Sequence, residues 1–153
     1  MELKSKQNIE HKWTLLCEGS SIDRKKNNLT LFNIIEQLNI SIEQRTNNKE
    51  IIIPINMELV TLWSVSNTEK SSNADVEIDL LDPRKKIFGT MKYKLEIPEK
   101  IRRGRSIGSI TGLKVTESGD YTFRIKIKPM KQISFIEVGE VNLEINLIEN
   151  KQA

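Results

Sequence analysis

Cysteine and histidine are common nucleophiles, bases and zinc ligands, and this chain contains one of each, Cys17 and His11. A Cys–His catalytic pair requires the two side chains to lie within about 3 Å of each other. Both residues fall in one predicted strand, residues 11–18, where six residues of extended chain separate them by roughly 20 Å. A tetrahedral zinc site needs about four ligands, which these two residues do not supply. The sequence therefore predicts no catalytic residue, no cofactor and no metal site, and Cys17 is expected to be a buried structural thiol.

Three aspartates fall at predicted turns: Asp23, Asp82 and Asp120. Oxygen ligands from loops are able to hold calcium. Aspartate is also an ordinary turn residue, because its carboxylate accepts hydrogen bonds from the main chain two residues on. The sequence contains no dense Asp-x-Asp loop. The turn interpretation is preferred, and an ion held by these aspartates stays open as the alternative.

Acidic residues alternate with apolar residues on one predicted strand: Asp75, Glu77 and Asp79. A hairpin that pairs Asp82 with Ile87 would place Glu77 opposite Lys92. The same register would place Asp75 opposite Lys94. Such cross-strand charge pairs fix the register of a hairpin, and each exposed pair contributes at most about 1 kcal/mol. The acidic row is therefore interpreted as structural.

Residues 84–105 carry nine basic and two acidic side chains, a local net charge of +7 in a chain whose formal net charge is +3. The candidate anion-binding or partner-binding residues are Arg102, Arg103, Arg105, Lys100, Lys92 and Lys94. The arginines lie in a predicted glycine-containing loop, residues 100–105, where guanidinium groups could clamp phosphates. Proteins that bind single-stranded nucleic acid usually add exposed aromatic residues, whereas Tyr93 and Tyr121 fall on predicted inward faces. A solvated or protein-facing loop is preferred, with polyanion binding as the alternative.

Period-two alternation of apolar and polar residues recurs along the chain and is typical of strands with one buried face. It predicts strands at residues 11–18, 51–65, 75–80, 91–97, 107–115, 121–128 and 141–147. The first strand is expected to place His11, Trp13, Leu15 and Cys17 on one face. Pro54 falls on the parity opposite to the apolar residues of its strand, which indicates an edge or a bend.

Residues 29–38 begin as a strand, but Leu31, Ile34 and Leu38 then follow helical spacing, which predicts a short helical turn near residues 33–39. The whole pattern predicts an all-β fold, a single antiparallel β-sandwich of about seven to eight strands. Tyr121 follows a glycine turn, which favours an immunoglobulin-like sandwich, because such sandwiches often bond a tyrosine hydroxyl back to the preceding corner. The predicted domain spans residues 11–149, with flexible tails at residues 1–10 and 150–153.

A set of short motifs resembles a family of small prokaryotic proteins that is catalogued as a domain of unknown function: Cys17-Glu18, Asp23, Leu29-Thr30-Leu31-Phe32-Asn33-Ile34-Ile35, Asp82-Pro83 and Gly119-Asp120-Tyr121-Thr122-Phe123. The resemblance extends over most of residues 13–147. It implies a single β-sandwich domain and transfers no catalytic residue. The arginines of residues 102–105 are not part of the family's pattern.

Composition narrows the functional classes. The chain is 37% hydrophobic and 29% charged, which is ordinary for a globular protein. Its longest apolar stretches are a few residues long, whereas crossing a bilayer takes roughly 20. A single cysteine and a polar N-terminus predict a cytoplasmic protein. We expect a non-enzymatic interaction or structural module that binds a protein partner, without a membrane partner. Nucleic-acid binding and homo-oligomerisation stay open.

Overall fold

The computed structural model describes residues 8–43 and 50–150. These residues form nine strands and no helix. The strands are β1 (Ile9–Ile22), β2 (Leu29–Ile34), β3 (Gln37–Ile42), β4 (Ile51–Val65), β5 (Ser72–Leu81), β6 (Ile87–Ile97), β7 (Arg103–Val115), β8 (Gly119–Pro129) and β9 (Ile136–Glu149). None of the described residues forms a helix that is long and apolar enough to span a membrane.

The strands form two sheets. Sheet A has the strand order β2-β1-β4-β7, and sheet B has the order β3-β9-β8-β5-β6. All neighbouring strands are antiparallel except β3 and β9, which are parallel. The inner faces of both sheets contribute to one apolar core, which contains Trp63 from sheet A and Tyr121 and Phe123 from sheet B. The fold is therefore all-β and has the two layers of a β-sandwich.

The strands that period-two alternation predicts are all present. The hairpin of β5 and β6 has the predicted charge register, with Glu77 opposite Lys92 and Asp75 opposite Lys94. The predicted pairing of Asp82 with Ile87 is wrong, because a register shift at Leu80 and Leu81 sets Ile87 opposite Leu81. Pro54 lies at a register shift between β4 and β7, in a part of β4 that β1 does not pair with. A proline is tolerated there because a bulge and an unpaired edge do not need its missing N–H.

The predicted helical turn near residues 33–39 is wrong. Asn33 has a φ of 48°, a left-handed conformation that asparagine tolerates better than most residues. The chain then leaves sheet A at Ile35, whose buried side chain joins the core and whose N–H donates to the main-chain oxygen of Leu16 at 2.8 Å. The helical spacing of apolar residues here spans the end of one strand and the start of another.

The sequence did not predict strand β3, because the same helical spacing of apolar residues extends into it. Its apolar residues alternate with polar ones, and Leu38 and Ile40 pack against the core. The main chain of β3 is paired with β9 in parallel, with Leu38 opposite Ile145. Tertiary pairing of this kind supplies hydrogen bonds that an isolated six-residue segment cannot form.

A bulge in β1 changes the predicted facing of His11. The pairing of β1 with β4 shifts register between His11 and Trp13. His11 therefore faces the core side, where its ring packs edge-on against Trp63 with centroids 5.5 Å apart. Cys17 is buried as predicted, but it lies on the outer face of sheet A, since its neighbour Leu16 is the residue that joins the core.

The predicted tyrosine contact is confirmed. Tyr121 lies near the start of β8, and its hydroxyl donates to the main-chain oxygen of Glu117 at 2.8 Å. The same hydroxyl oxygen accepts from the main-chain N–H groups of Thr116 at 3.2 Å and Glu117 at 3.3 Å. One buried side chain thereby closes the turn between β7 and β8.

The predicted tails lie mostly outside the described residues. Ile9 and Glu10, which fall inside the predicted N-terminal tail, belong to β1, and Ile9 is buried opposite Val65. At the other end, the N–H of Asn150 donates to the main-chain oxygen of Ile42 at 3.1 Å.

Candidate interaction edge

Strand β7 forms one edge of sheet A and, among the described strands, pairs only with β4. The register is regular from Arg103, opposite Ser64, to Thr111, opposite Asn56. The sequence of β7 between residues 106 and 113 contains no charged residue, and glycine occurs at positions 104, 108 and 112. Natural edge strands are commonly short or charged, which discourages pairing with another chain. A 13-residue edge strand with an uncharged middle is therefore a candidate binding surface.

The hydrogen bonds between β4 and β7 show which main-chain groups of β7 face outward. The N–H of Val65 donates to the carbonyl of Arg102 at 2.8 Å. In an antiparallel ladder, bonded and non-bonded pairs alternate. Continuing this alternation along the register, the main-chain groups of alternate residues point away from β4, namely those of Arg103, Arg105, Ile107, Ser109 and Thr111. We define the β7 edge as the outward-facing main-chain groups of these five residues, together with the side chains of the same residues and of Arg102.

The basic residues at the start of the β7 edge are available to a partner. Lys100, Arg102 and Arg103 are exposed. Among residues 8–43 and 50–150, none of the three forms an ion pair within 4.0 Å. Their charges therefore contribute an uncompensated positive field at this end of sheet A.

Arg105 has a different role from its neighbours. Its guanidinium group donates to the main-chain oxygen of Asn27 and, at 3.3 Å, to the side-chain oxygen of the same residue. Trp13 and Arg105 lie level with each other in sheet A, with β4 between them. If the β1–β2 hairpin continued straight from Trp13, its turn at Asn27 would lie about 30 Å further along the strand direction. The β1–β2 hairpin therefore bends back over the outer face of sheet A, and Arg105 holds its turn.

The basic segment predicted as a loop is partly a strand. Only Lys100 and Arg102 lie in the β6–β7 connection, whereas Arg103 and Arg105 belong to β7. The sequence predicts a loop at Gly104, but this residue occupies an inward position of β7 where Ile97 approaches closely. A Cβ atom at Gly104 would lie 2.8 Å from Ile97 Cγ1. Glycine marks a close approach inside a strand as well as a turn.

The six predicted site residues do not form one patch. Lys92 and Lys94 lie on β6, on the outer face of sheet B, and Lys92 Nζ is 3.6 Å from Glu77 Oε1. Arg103 and Arg105 lie on the outer face of sheet A, on the other side of the sandwich. Sequence distance alone could not reveal this division, because β6 and β7 belong to different sheets.

The inward side of the first half of β7 is built from small residues, whereas Ile110 and Leu113 of the second half belong to the core. Gly104, Ser106 and Gly108 face the inner side chains of β6. Ser106 Oγ lies 2.7 Å from the hydroxyl of Tyr93 and accepts from Trp63 Nε1 at 3.0 Å. Burial raises the pKa of Tyr93, and its hydrogen bonds to Ser106 and Trp63 oppose that rise without reversing it. Tyr93 therefore stays neutral.

The β8–β9 loop also exposes apolar side chains, which the sequence pattern did not predict. Ile133 is 98% exposed and Met130 is 64% exposed. Phe135, at the base of the loop, lies under Lys126 Nζ and Lys128 Nζ, 5.5 and 5.1 Å from its ring centroid. Period-two patterns identify apolar residues in strands, and they give no signal for apolar residues in a loop.

Cys17 and His11 do not form a reactive pair. Burial and the nearby charge of Glu58 raise the pKa of the Cys17 thiol, and a hydrogen bond from the main chain of Gly19 opposes that rise without reversing it. Burial lowers the pKa of His11, whose Nε2 is 2.7 Å from Thr14 Oγ1. The two side chains face opposite sides of sheet A.

Two of the three predicted turn aspartates accept hydrogen bonds from main-chain groups, whereas Asp120 lies in β8, opposite Glu144. Asp23 Oδ1 accepts from the N–H of Lys25 at 2.9 Å, and Asp82 Oδ1 accepts from the N–H groups of Arg84 and Lys86, both at 2.9 Å. Within the part of the chain that the structure describes, no group of three or more His, Cys, Asp or Glu side chains is arranged to hold a metal ion.

Comparison with known proteins adds no assignment. No family model matches the chain. No curated protein matches it either.

Proposed function

We propose that this protein is a non-enzymatic interaction module that binds an acidic protein partner at the β7 edge. The observation that carries the proposal is the combination of a long edge strand with two exposed arginines, Arg102 and Arg103, that lack an ion-pair partner among the described residues. Complementary charge speeds the encounter of two proteins and selects between partners. The proposal places the protein in the cytoplasm, where a single reduced thiol is ordinary.

We also propose that the sandwich is immunoglobulin-like. Support comes from the strand order β9-β8-β5-β6, which corresponds to G-F-C-C′ of that fold, and from the adjacent pair β4-β7, which corresponds to B-E. The contact of Tyr121 with Glu117 corresponds to the tyrosine corner at the start of strand F. Strand β2, added beside β1, is a departure from this pattern.

A second candidate function is binding of a polyanion through Lys100, Arg102 and Arg103. The uncompensated charge of these side chains favours it. The position of Lys92 and Lys94 on the other sheet weakens it, because a nucleic-acid backbone needs a continuous basic track. Binding to RNA or DNA would weaken steeply with salt, with a log–log slope near the number of phosphates contacted.

Affinity capture from the protein's own cell extract tests the leading proposal. The double substitution Arg102→Ala/Arg103→Ala is expected to lower recovery of the partner at least about fivefold while leaving the melting temperature within about 2 °C, since exposed charges contribute little to stability. The matched control Lys86→Ala/Lys94→Ala removes two exposed cations from the β6 side of sheet B, away from the β7 edge, and should leave recovery unchanged. Equal recovery by both variants and the wild type would overturn the proposal.

A further inference from the structure

We propose that the partner binds by adding an extended segment to sheet A as a fifth strand beside β7. This inference rests on the proposed function and specifies how the β7 edge is used. Strand addition to an exposed edge uses main-chain hydrogen bonds for affinity and alternate side-chain positions for specificity.

The main chain of β7 is prepared for such an addition. The N–H and C=O groups of alternate residues between Arg103 and Thr111 point away from β4. The side chains of Ile107, Ser109 and Thr111 are exposed at this edge. The regular register ends near Gly112, where φ is 74°. The edge therefore offers a regularly paired stretch of nine residues, Arg103 to Thr111, which suits a partner segment of similar length.

The core is incompletely covered beside β7. The inner side chains Phe88, Met91 and Tyr93 of β6 pack against the core but are only partly buried. Opposite them, the inward positions of β7 hold the small residues Gly104, Ser106 and Gly108. A Cβ atom at Gly108 would lie 2.6 Å from Met91 Cε, so the glycine lets the Met91 side chain pack directly against the main chain of β7. A fifth strand would supply the missing cover with apolar side chains at its inward positions.

The arginines of the β7 edge determine which residues the partner segment should carry on the outer face of sheet A. Arg103 is exposed on the outer face at the first end of β7, beside Arg102, and Ile107 is exposed near the middle. Directly opposed charges on neighbouring strands stabilise pairing when their signs differ. The segment that fits is therefore apolar at every second position, with carboxylates on the alternate positions nearest Arg103.

A second copy of this chain fits poorly. In any register, β7 of a second copy would offer no carboxylate to Arg103, because residues 103–115 contain no acidic residue. Parallel pairing in register would place Arg103 beside its own counterpart. Like charges on paired strands oppose pairing. The expected partner is a different protein.

Titration with a synthetic peptide tests the inference. The probe is an acetylated, amidated eight-residue peptide with valine at its odd positions and threonine, threonine, glutamate and glutamate at its even positions. In an antiparallel complex its glutamates lie opposite Arg105 and Arg103. We expect the amide resonances of Arg103, Ile107 and Ser109 to shift on binding. Replacing the two glutamates with lysine should weaken affinity at least about threefold.

Ser109→Pro is the decisive protein variant. The N–H of Ser109 points away from β4, so proline should be compatible with the native sheet and should remove one donor from the free edge. We expect peptide affinity to fall at least about tenfold, whereas Ser109→Thr, which keeps the N–H, should stay within about twofold. A wild-type titration with a peptide N-methylated on the amides that face β7 gives the same answer without changing the protein.

The outcomes separate the two proposals. Absence of amide shifts at about 1 mM probe, or equal binding of the N-methylated peptide, would overturn strand addition. If Arg102→Ala/Arg103→Ala loses the cellular partner while folded Ser109→Pro retains it, the β7 edge binds a protein by another mode, and only this inference fails. Peptide-dependent dimerisation or a dimer of the protein alone, seen by sedimentation, would show that a second copy is the occupant and would also contradict it.

Discussion

The substitution Asp79→Asn is expected to destabilise the fold by about 1 to 3 kcal/mol at pH 7. Asp79 is only 4% exposed, and its Oδ2 lies 2.8 Å from Lys126 Nζ. Its Oδ1 accepts from Thr90 Oγ1 at 3.0 Å, a bond that asparagine can keep. Lys126 also keeps Glu77, 3.2 Å away, so the loss should be smaller than the roughly 3 to 5 kcal/mol of a buried charge left without any partner.

The loss of stability caused by Asp79→Asn should become smaller as the pH falls. Burial tends to raise the pKa of Asp79, but hydrogen bonds from Lys126 and Thr90 and the charges of Lys126 and Arg124 outweigh it and lower the pKa. A carboxylate with a lowered pKa stabilises the fold above its unfolded value of about 3.9, and this contribution is lost as pH falls through the folded pKa. Urea unfolding, followed by tryptophan fluorescence between pH 2 and 7, should show the wild type and Asp79→Asn converging in acid.

The complementary variant is Lys126→Met. It leaves Asp79 buried without its closest cation and should cost about 3 to 5 kcal/mol at pH 7, more than Asp79→Asn. The double variant Asp79→Asn/Lys126→Met should lose less stability than the sum of the two single variants, because each single change removes the same contact between Asp79 and Lys126. An equal stability difference between wild type and Asp79→Asn at pH 3 and pH 7 would refute the electrostatic explanation and leave packing as the cause.

Two further predictions follow from the described geometry. Gly104→Ala should destabilise by about 1 to 3 kcal/mol in urea unfolding, because the new Cβ would press on Ile97, whereas Gly19→Ala, with no atom within 4 Å of its Cβ, should change stability by less than about 0.5 kcal/mol. Cys17 should react slowly with a thiol reagent in the native protein and rapidly in urea, since it is 0% exposed and burial raises its pKa; rapid native labelling would contradict its position.

The parts of the fold that sequence could predict are those where local pattern and tertiary packing agree. The alternation in β5, β8 and β9 reflects one buried and one polar face, and the charges of Glu77 and Lys92 were enough to set a hairpin register. The parts that the sequence did not predict are those whose conformation depends on tertiary contacts. The bulge after His11 and the exit from sheet A at Ile35 leave no mark on the spacing of apolar residues.

The candidate site shows the same limit. The cluster of basic residues was visible in the sequence, but its division between two sheets was not, because alternation gives the facing of a side chain only within its own strand. Gly104 was ambiguous for a related reason: a glycine that opens a turn and a glycine that admits Ile97 look the same in one sequence. The outward-facing main-chain groups of β7 could be found only once it was known that β4 is the one described strand that pairs with β7.

The position of paired and unpaired cations explains why the β7 edge, and not the more basic β6 and β8, should attract an acidic partner. On the outer face of sheet B, Lys92, Lys126 and Lys128 each lie within 4.0 Å of a carboxylate on the central strand β5. Those charges cancel locally, so their field decays within a short distance. Arg102 and Arg103 have no such carboxylate among the described residues, and they stand beside main-chain donors and acceptors that face outward. Attraction at long range and pairing at short range therefore converge on the same strand, which is the arrangement expected of a surface that recruits an extended acidic segment.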